Sequence, residues 1–168
     1  MKKPALFLCL SVLVPALLWG QEAENKSHGH GYVFFAPGAA TTFGCRSCTS
    51  GTLHFGGGGE GTFYRGLGIG GEIGYIGAMG SLDGGLGLGS INGVYIFRSH
   101  GKSKLEPFIT GGFSVAIANG ILGAANFGGG IQYWRRKRVG LRLEFRDHFP
   151  TQSFSDHLFE GRVGFAFR

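Results

Sequence analysis

The sequence predicts an all-β chain, an eight-stranded antiparallel up-and-down transmembrane β-barrel. Three observations carry that prediction. Apolar residues alternate with small or charged ones in repeated stretches of about ten residues, the period-two signature of strands that cross a membrane. Glycine is in strong excess, 34 of 168 residues, against about 7% in an average protein. Only 15% of residues are charged while 16 are phenylalanine, so much of the surface is buried or faces lipid. The glycines follow no collagen period. They alternate with Phe, Leu, Ile and Tyr, which excludes a disordered linker.

Residues 1–20 read as a cleaved signal peptide. Lys2 and Lys3 give a positive start, residues 5–19 form an apolar region broken by Pro15, and the sequence turns polar at Gln21. The apolar run falls short of the roughly 20 residues that a spanning helix needs. Leu8 before Cys9 argues against a lipid-modified cysteine. A short segment, 21–29, then leads into the barrel, 30–168. The remaining cysteines, Cys45 and Cys48, form a CxxC. A zinc site needs four ligands and there is no second pair. No helix pattern follows, as a thioredoxin-type site requires. In an exported protein the expectation is a local disulfide in an exposed loop, with free thiols as the alternative. His28 and His30 lack further ligands, so no metal and no cofactor is expected.

Eight strands follow in order. The first, 30–37, is short and nearly all apolar. The second, 51–63, sets Leu53, Phe55 and Phe63 against His54, Glu60 and Thr62. The third, 66–77, sets Leu67, Ile69, Ile73 and Tyr75 against Gly68, Gly70, Glu72 and Gly74. The fourth, 86–98, holds Asn92 but is apolar on both faces. In the fifth, 104–117, Leu105, Ile109, Phe113 and Ile117 alternate with Glu106, Thr110, Gly112 and Ser114. In the sixth, 123–134, Phe127, Ile131 and Tyr133 alternate with Asn126, Gly128, Gly130 and Gln132. The seventh, 139–149, is the clearest: Val139, Leu141, Leu143 and Phe145 share one face, and Gly140, Arg142, Glu144, Arg146 and His148 the other. In the eighth, 158–168, Phe159, Val163, Phe165 and Phe167 oppose Glu160, Arg162, Gly164 and Ala166. Residues 38–50, 78–85, 118–122 and 150–157 are expected as loops. Residues 64–65, 98–103 and 135–138 are expected as shorter turns at the other end.

The inward face is small and charged. A barrel of eight strands has an interior that side chains alone can fill, and glycine leaves room for long neighbours. The same face carries Glu60, Glu72, Glu106, Arg142, Glu144, Arg146, Glu160 and Arg162, five acids and three arginines. Pairing among them is the expected solution for buried charge, which makes a plugged lumen the first reading and a selectivity ring the second. No catalytic set is evident: Asp147 and His148 are adjacent, hence on opposite faces, and Ser153 lies in an expected loop. The chain is read as non-enzymatic. The net charge of +6 is no nucleic-acid signal, because Lys2 and Lys3 lie in the signal segment and Arg135, Arg136, Lys137 and Arg138 form one turn. A lipid-headgroup site at that turn is the secondary reading.

Three stretches resemble the small outer-membrane β-barrel family of the OmpA transmembrane domain: 140–147, the glycine-alternating run 66–77 with Glu72 inward, and the terminal strand ending Val163-Gly164-Phe165-Ala166-Phe167. The resemblance covers about residues 28–168. It implies an outer-membrane location in a Gram-negative envelope, contact with outer-membrane lipid, and an assembly signal at Phe165 and Phe167 read by the barrel-assembly machinery. Arg168 after the last phenylalanine departs from the pattern. The function expected is structural or surface-interacting, with 38–50 (Thr41, Thr42, Phe43) as the contact surface for an unspecified partner. A narrow pore is the alternative, and a soluble lipocalin-like barrel the second.

Overall fold

The computed structural model of the chain describes residues 28–42, 49–97, 104–117, 120–136, 138–152 and 156–168. Eight strands occupy almost all of them: β1 (His28–Thr42), β2 (Thr49–Tyr64), β3 (Leu67–Ala78), β4 (Ser81–Ile96), β5 (Leu105–Ile117), β6 (Ile121–Trp134), β7 (Val139–Pro150) and β8 (Asp156–Phe167). Each strand pairs antiparallel with the next, and β8 pairs with β1, closing the barrel. Closure leaves no sheet edge, so every strand's backbone groups find partners without water.

The register sets the width. Cross-strand partners run His30, Glu60, Gly70, Asn92, Gly112, Asn126, His148, Leu158 and return to β1 at Ala40. The circuit is staggered by ten residues, 40 minus 30. With strands about 4.8 Å apart and a rise of about 3.3 Å per residue, that stagger over eight strands tilts them by about 40°. The result is a narrow barrel whose inward positions must pack against one another.

The strands are longer than the alternation indicated. β1 runs to Thr42 rather than 37, so Thr41 and Thr42 belong to a strand and not to a contact loop. Thr49 Oγ1 donates to Thr41 Oγ1 at 3.3 Å. Phe43, Cys45 and Cys48 lie outside the described residues. The loop expected at 78–85 is a Met79–Gly80 turn, with Gly80 at φ 104°, and β4 starts at Ser81. In a closed ladder a strand continues while its neighbour still offers partners; loss of alternation marks where it leaves lipid, not where pairing stops. At the opposite end β2 and β3 join through Arg65 (φ 45°) and Gly66 (φ 89°), both left-handed as a two-residue hairpin turn requires. Gly66 is therefore a turn residue, one position before the strand begins.

Hydrophobicity is inverted relative to a soluble barrel. Outward Ile73 and Ile91 are 76% and 68% exposed, whereas inward Arg146 and Glu160 are 1% and 0% exposed. Arg142, Glu144 and Arg146 all face in. A lipocalin-like barrel needs an apolar interior and a polar exterior, so this pattern overturns that alternative. An eight-stranded transmembrane barrel places the apolar side chains against lipid.

A charge on that face is the direct check. Ile73→Lys, at a central position of β3, is expected to destabilise the barrel by about 2–4 kcal/mol in bilayers, measured by urea unfolding in lipid vesicles.

Candidate functional site

The lumen is built from alternate residues of every strand. On β7 the inward sequence is Arg142, Glu144, Arg146, His148; on β8 it is Glu160, Arg162. Side chains two apart on a strand point the same way, so opposite charges alternate along one inner wall. Glu144 accepts from Arg142 Nε at 3.0 Å and from Arg146 Nε at 2.6 Å. Glu160 accepts from Arg162 Nε at 2.9 Å.

Glu72 joins this wall to the far side of the barrel. From β3 it accepts from Arg162 Nη1 at 2.8 Å, from Arg146 Nη1 at 3.3 Å and from Tyr32 Oη at 2.9 Å. Glu60 on β2 takes Arg142 Nη1, and His30 Nε2 lies 3.0 Å from it. Glu160 lies 2.8 Å from His54 Nδ1. The contacts form one unbroken chain: His30, Glu60, Arg142, Glu144, Arg146, Glu72, Arg162, Glu160, His54. Every member is buried.

Aromatic rings pave the guanidinium groups. Arg142 sits 4.4 Å over Tyr32 and 4.0 Å over Phe108, and Arg162 sits 4.4 Å over Phe34. Such stacking favours a planar, weakly hydrated cation. Space for the rings comes from glycine on β2. A Cβ at Gly58 would lie 2.9 Å from Tyr32 Oη and 2.5 Å from the Gly71 carbonyl oxygen.

A neutral layer continues the network. Asn126 Nδ2 donates to Asn92 Oδ1 and to Ser114 Oγ, both at 2.9 Å. Ser114 Oγ is 2.9 Å from Ser90 Oγ and 3.2 Å from His148 Nδ1. Ser114, His148 and Glu160 thus lie in sequence, as in a hydrolase triad. The hydrogen bonding runs the wrong way for one. Arg162 Nη2 is 3.3 Å from His148 Nε2, and a guanidinium only donates. Nε2 is then the acceptor and Nδ1 carries the proton toward Ser114, whereas a general base would present a lone pair there. Glu160 Oε2 is 3.7 Å from Nε2, beyond hydrogen-bond reach.

Seven of the eight charges read from sequence belong to this chain. Glu106 does not. It sits at the barrel's end, accepting from Trp134 Nε1 at 2.7 Å and from Arg168 Nη2 at 3.0 Å, while the Arg168 guanidinium lies 3.9 Å over the Trp134 ring. Phe165 and Phe167 face outward on β8, 55% and 46% exposed. Asp147 points outward and pairs with His157 at 2.8 Å, on the opposite face from His148. Ser153 lies outside the described residues. Among the described residues no cluster of three or more His, Cys, Asp or Glu is placed to hold a metal. Sequence reading missed His30, His54 and Tyr32 as network members. For His54 the signal was available, since it shares the even-numbered parity of Glu60 on β2; β1 carries no Asp, Glu, Lys or Arg to set the phase of His30 and Tyr32.

No protein-family model matches the chain, and no curated protein matches it. Solved structures do. The crystal structure of Neisserial surface protein A aligns over 84% of this chain and 98% of its own, with TM-score 0.64 and 11% identity. The chain has the fold of the small outer-membrane β-barrels. Ail, the attachment invasion locus protein of Yersinia pestis, aligns over 86% of this chain and 99% of its own, with TM-score 0.58 and 11% identity. The N-terminal β-barrel domain of Pseudomonas aeruginosa OprF aligns over 83% and 100%, with TM-score 0.54 and 15% identity. At such identities the likeness is one of architecture, and a fold of this kind hosts several jobs.

The network makes a clear energetic prediction. Arg162→Met leaves Glu72 and Glu160 short of a partner and is expected to cost about 3–5 kcal/mol. The Glu72→Gln/Arg162→Met double variant should lose less than the sum of its single variants, as read from a double-mutant cycle of unfolding in lipid.

Proposed function

We propose that the chain is a non-enzymatic outer-membrane barrel with a structural or surface-interaction role, its lumen closed by the Arg–Glu network. The observation that carries this reading is Glu72. It reaches from β3 to Arg146 on β7 and Arg162 on β8, so ion pairs span the bore rather than ring it. A hydrated ion passing through would have to part buried pairs, whose separation leaves unpaired charge in a poorly solvated interior. A narrow pore needs a constriction with water on both sides, and the paired groups here are buried.

The apolar outer wall and the outer-membrane proteins that share the fold support an outer-membrane location. The partners of this reading are outer-membrane lipid and, during biogenesis, the barrel-assembly machinery, to which the outward Phe165 and Phe167 of the last strand offer an aromatic terminus. The surface partner is unspecified.

Two measurements test it. Purified protein in planar bilayers should give no steps of conductance; regular channel openings would make the pore reading the better one. Cell fractionation should recover the chain in the outer membrane, with gel mobility that shifts on heating. Recovery in the soluble periplasm would remove the membrane assignment.

A further inference from the structure

The network and its neutral layer fill the lumen only part of the way toward the end that carries the Met79–Gly80 turn. Above them lies a cavity of about 740 Å³, within the range of about 300–1,000 Å³ typical of small-molecule sites. Its walls are mostly apolar, Ile76, Leu86, Leu88, Ala116, Ala124 and Leu158 among them, with Ser50, Thr52 and Asp156 adding polar groups. His148, hydrogen-bonded to Ser114, lies at its floor. Ile76 and Leu88 are each 7% exposed. Leu86 and Leu88 of β4 face this cavity, which accounts for the apolar upper half of that strand's inward set.

An apolar cup is a poor host for water, which needs two to four polar partners. Two polar atoms nevertheless lack one among the described residues. Thr52 Oγ1, on a residue that lines the cup, is buried without a hydrogen bond. Asn126 Oδ1 is likewise unpartnered, on a side chain 3% exposed. Asn126 is the cross-strand partner of His148 at the floor. Unsatisfied buried polar atoms are uncommon in native proteins; Asn126 does not line the cup, so the atom that a hydroxyl or N–H group on an apolar ligand would satisfy is Thr52 Oγ1.

We propose that this cup binds a small, uncharged, largely apolar molecule bearing one hydroxyl or N–H group, its apolar body against Leu86 and Leu88 and its polar group toward Thr52. The inference rests on the closed-lumen reading, because the network is the floor that makes the upper lumen a cup. Asp156 is the one carboxylate among the described lining residues, so the cup disfavours an anion, and the ion pairs below are already matched among themselves.

The test uses the full chain in lipid nanodiscs, with isotope-labelled Ile and Leu methyl groups, titrated with indole. Indole also dissolves in the membrane, so the two faces of the barrel serve as each other's control. Binding in the cup predicts saturating shifts at the Ile76 and Leu88 methyls, while the outward Ile73 and Ile91 methyls drift linearly with concentration. In Ala116→Phe, which fills the cup, the saturating component should vanish while heat-shifted gel mobility is kept. A linear response at all four methyl sites of the unaltered protein would overturn the proposal. Saturation unchanged in a folded Ala116→Phe would overturn it as well. Bilayer conductance of the same preparation separates this inference from the reading beneath it. A silent barrel with linear shifts overturns the cup alone; a conducting barrel with saturating shifts removes the closed floor and leaves an apolar binding site in the wall of an open bore.

Discussion

A carboxylate in the middle of a membrane protein must be paired, and the layout of this lumen follows from how Glu72 meets that demand. Glu72 stands on β3, and its cationic partners Arg146 and Arg162 stand on β7 and β8, across the bore. The pairing is possible because a stagger of ten residues over eight strands keeps the barrel narrow enough for side chains to meet from opposite walls. The arginines in turn need surroundings that do not compete for water. Tyr32, Phe34 and Phe108 supply ring faces beneath them, and glycine on β2 gives those rings room. Charge, aromatic and glycine are therefore one arrangement. Removing a charge leaves an unpaired ion, and filling a glycine makes a clash with a ring.

The same constraint sorts the barrel's contents by height. Glu106, Trp134 and Arg168 cluster at the end where the chain enters and leaves the barrel. The ion network fills the middle. Ser90, Asn92, Ser114 and Asn126 form a neutral layer above it, and an apolar cup follows. His148 links the ion network to the neutral layer, touching both Arg162 and Ser114. The orientation of that histidine is imposed by Arg162, which is why a serine, a histidine and a glutamate in line do not add up to a nucleophile and its base.

Much of this was legible because the lipid outside enforces a strict alternation. β7 and β8 could be assigned to a face residue by residue, since from 139 to 145 and from 163 to 167 every second side chain is large and apolar. Parity names a face but not a depth, so Glu106 was placed with the network although it lies at the mouth. Strand ends were less legible. Thr41, Thr42 and Ser81 look like loop residues, yet their backbones stay paired because the ladder is closed. β1 and β4 were ambiguous for a physical reason. Their inward residues are apolar because they serve arginine rather than water: Tyr32 and Phe34 lie beneath guanidinium groups, and Val94 and Ile96 pack with Phe108, which does the same. Leu86 and Leu88 serve the cup. Composition alone does not separate these roles from lipid contact.

The central claim is that Arg162 and Glu72 touch across the lumen in a membrane. Solid-state NMR on the protein in lipid bilayers, with ¹⁵N in the Arg162 guanidinium and ¹³C in the Glu72 carboxyl, measures this by dipolar recoupling. Strong coupling is expected, consistent with the direct Nη1–Oε1 contact of 2.8 Å and with guanidinium protons slow to exchange with water. Weak coupling with rapid proton exchange would mean that water separates the two groups, and the closed lumen would not stand.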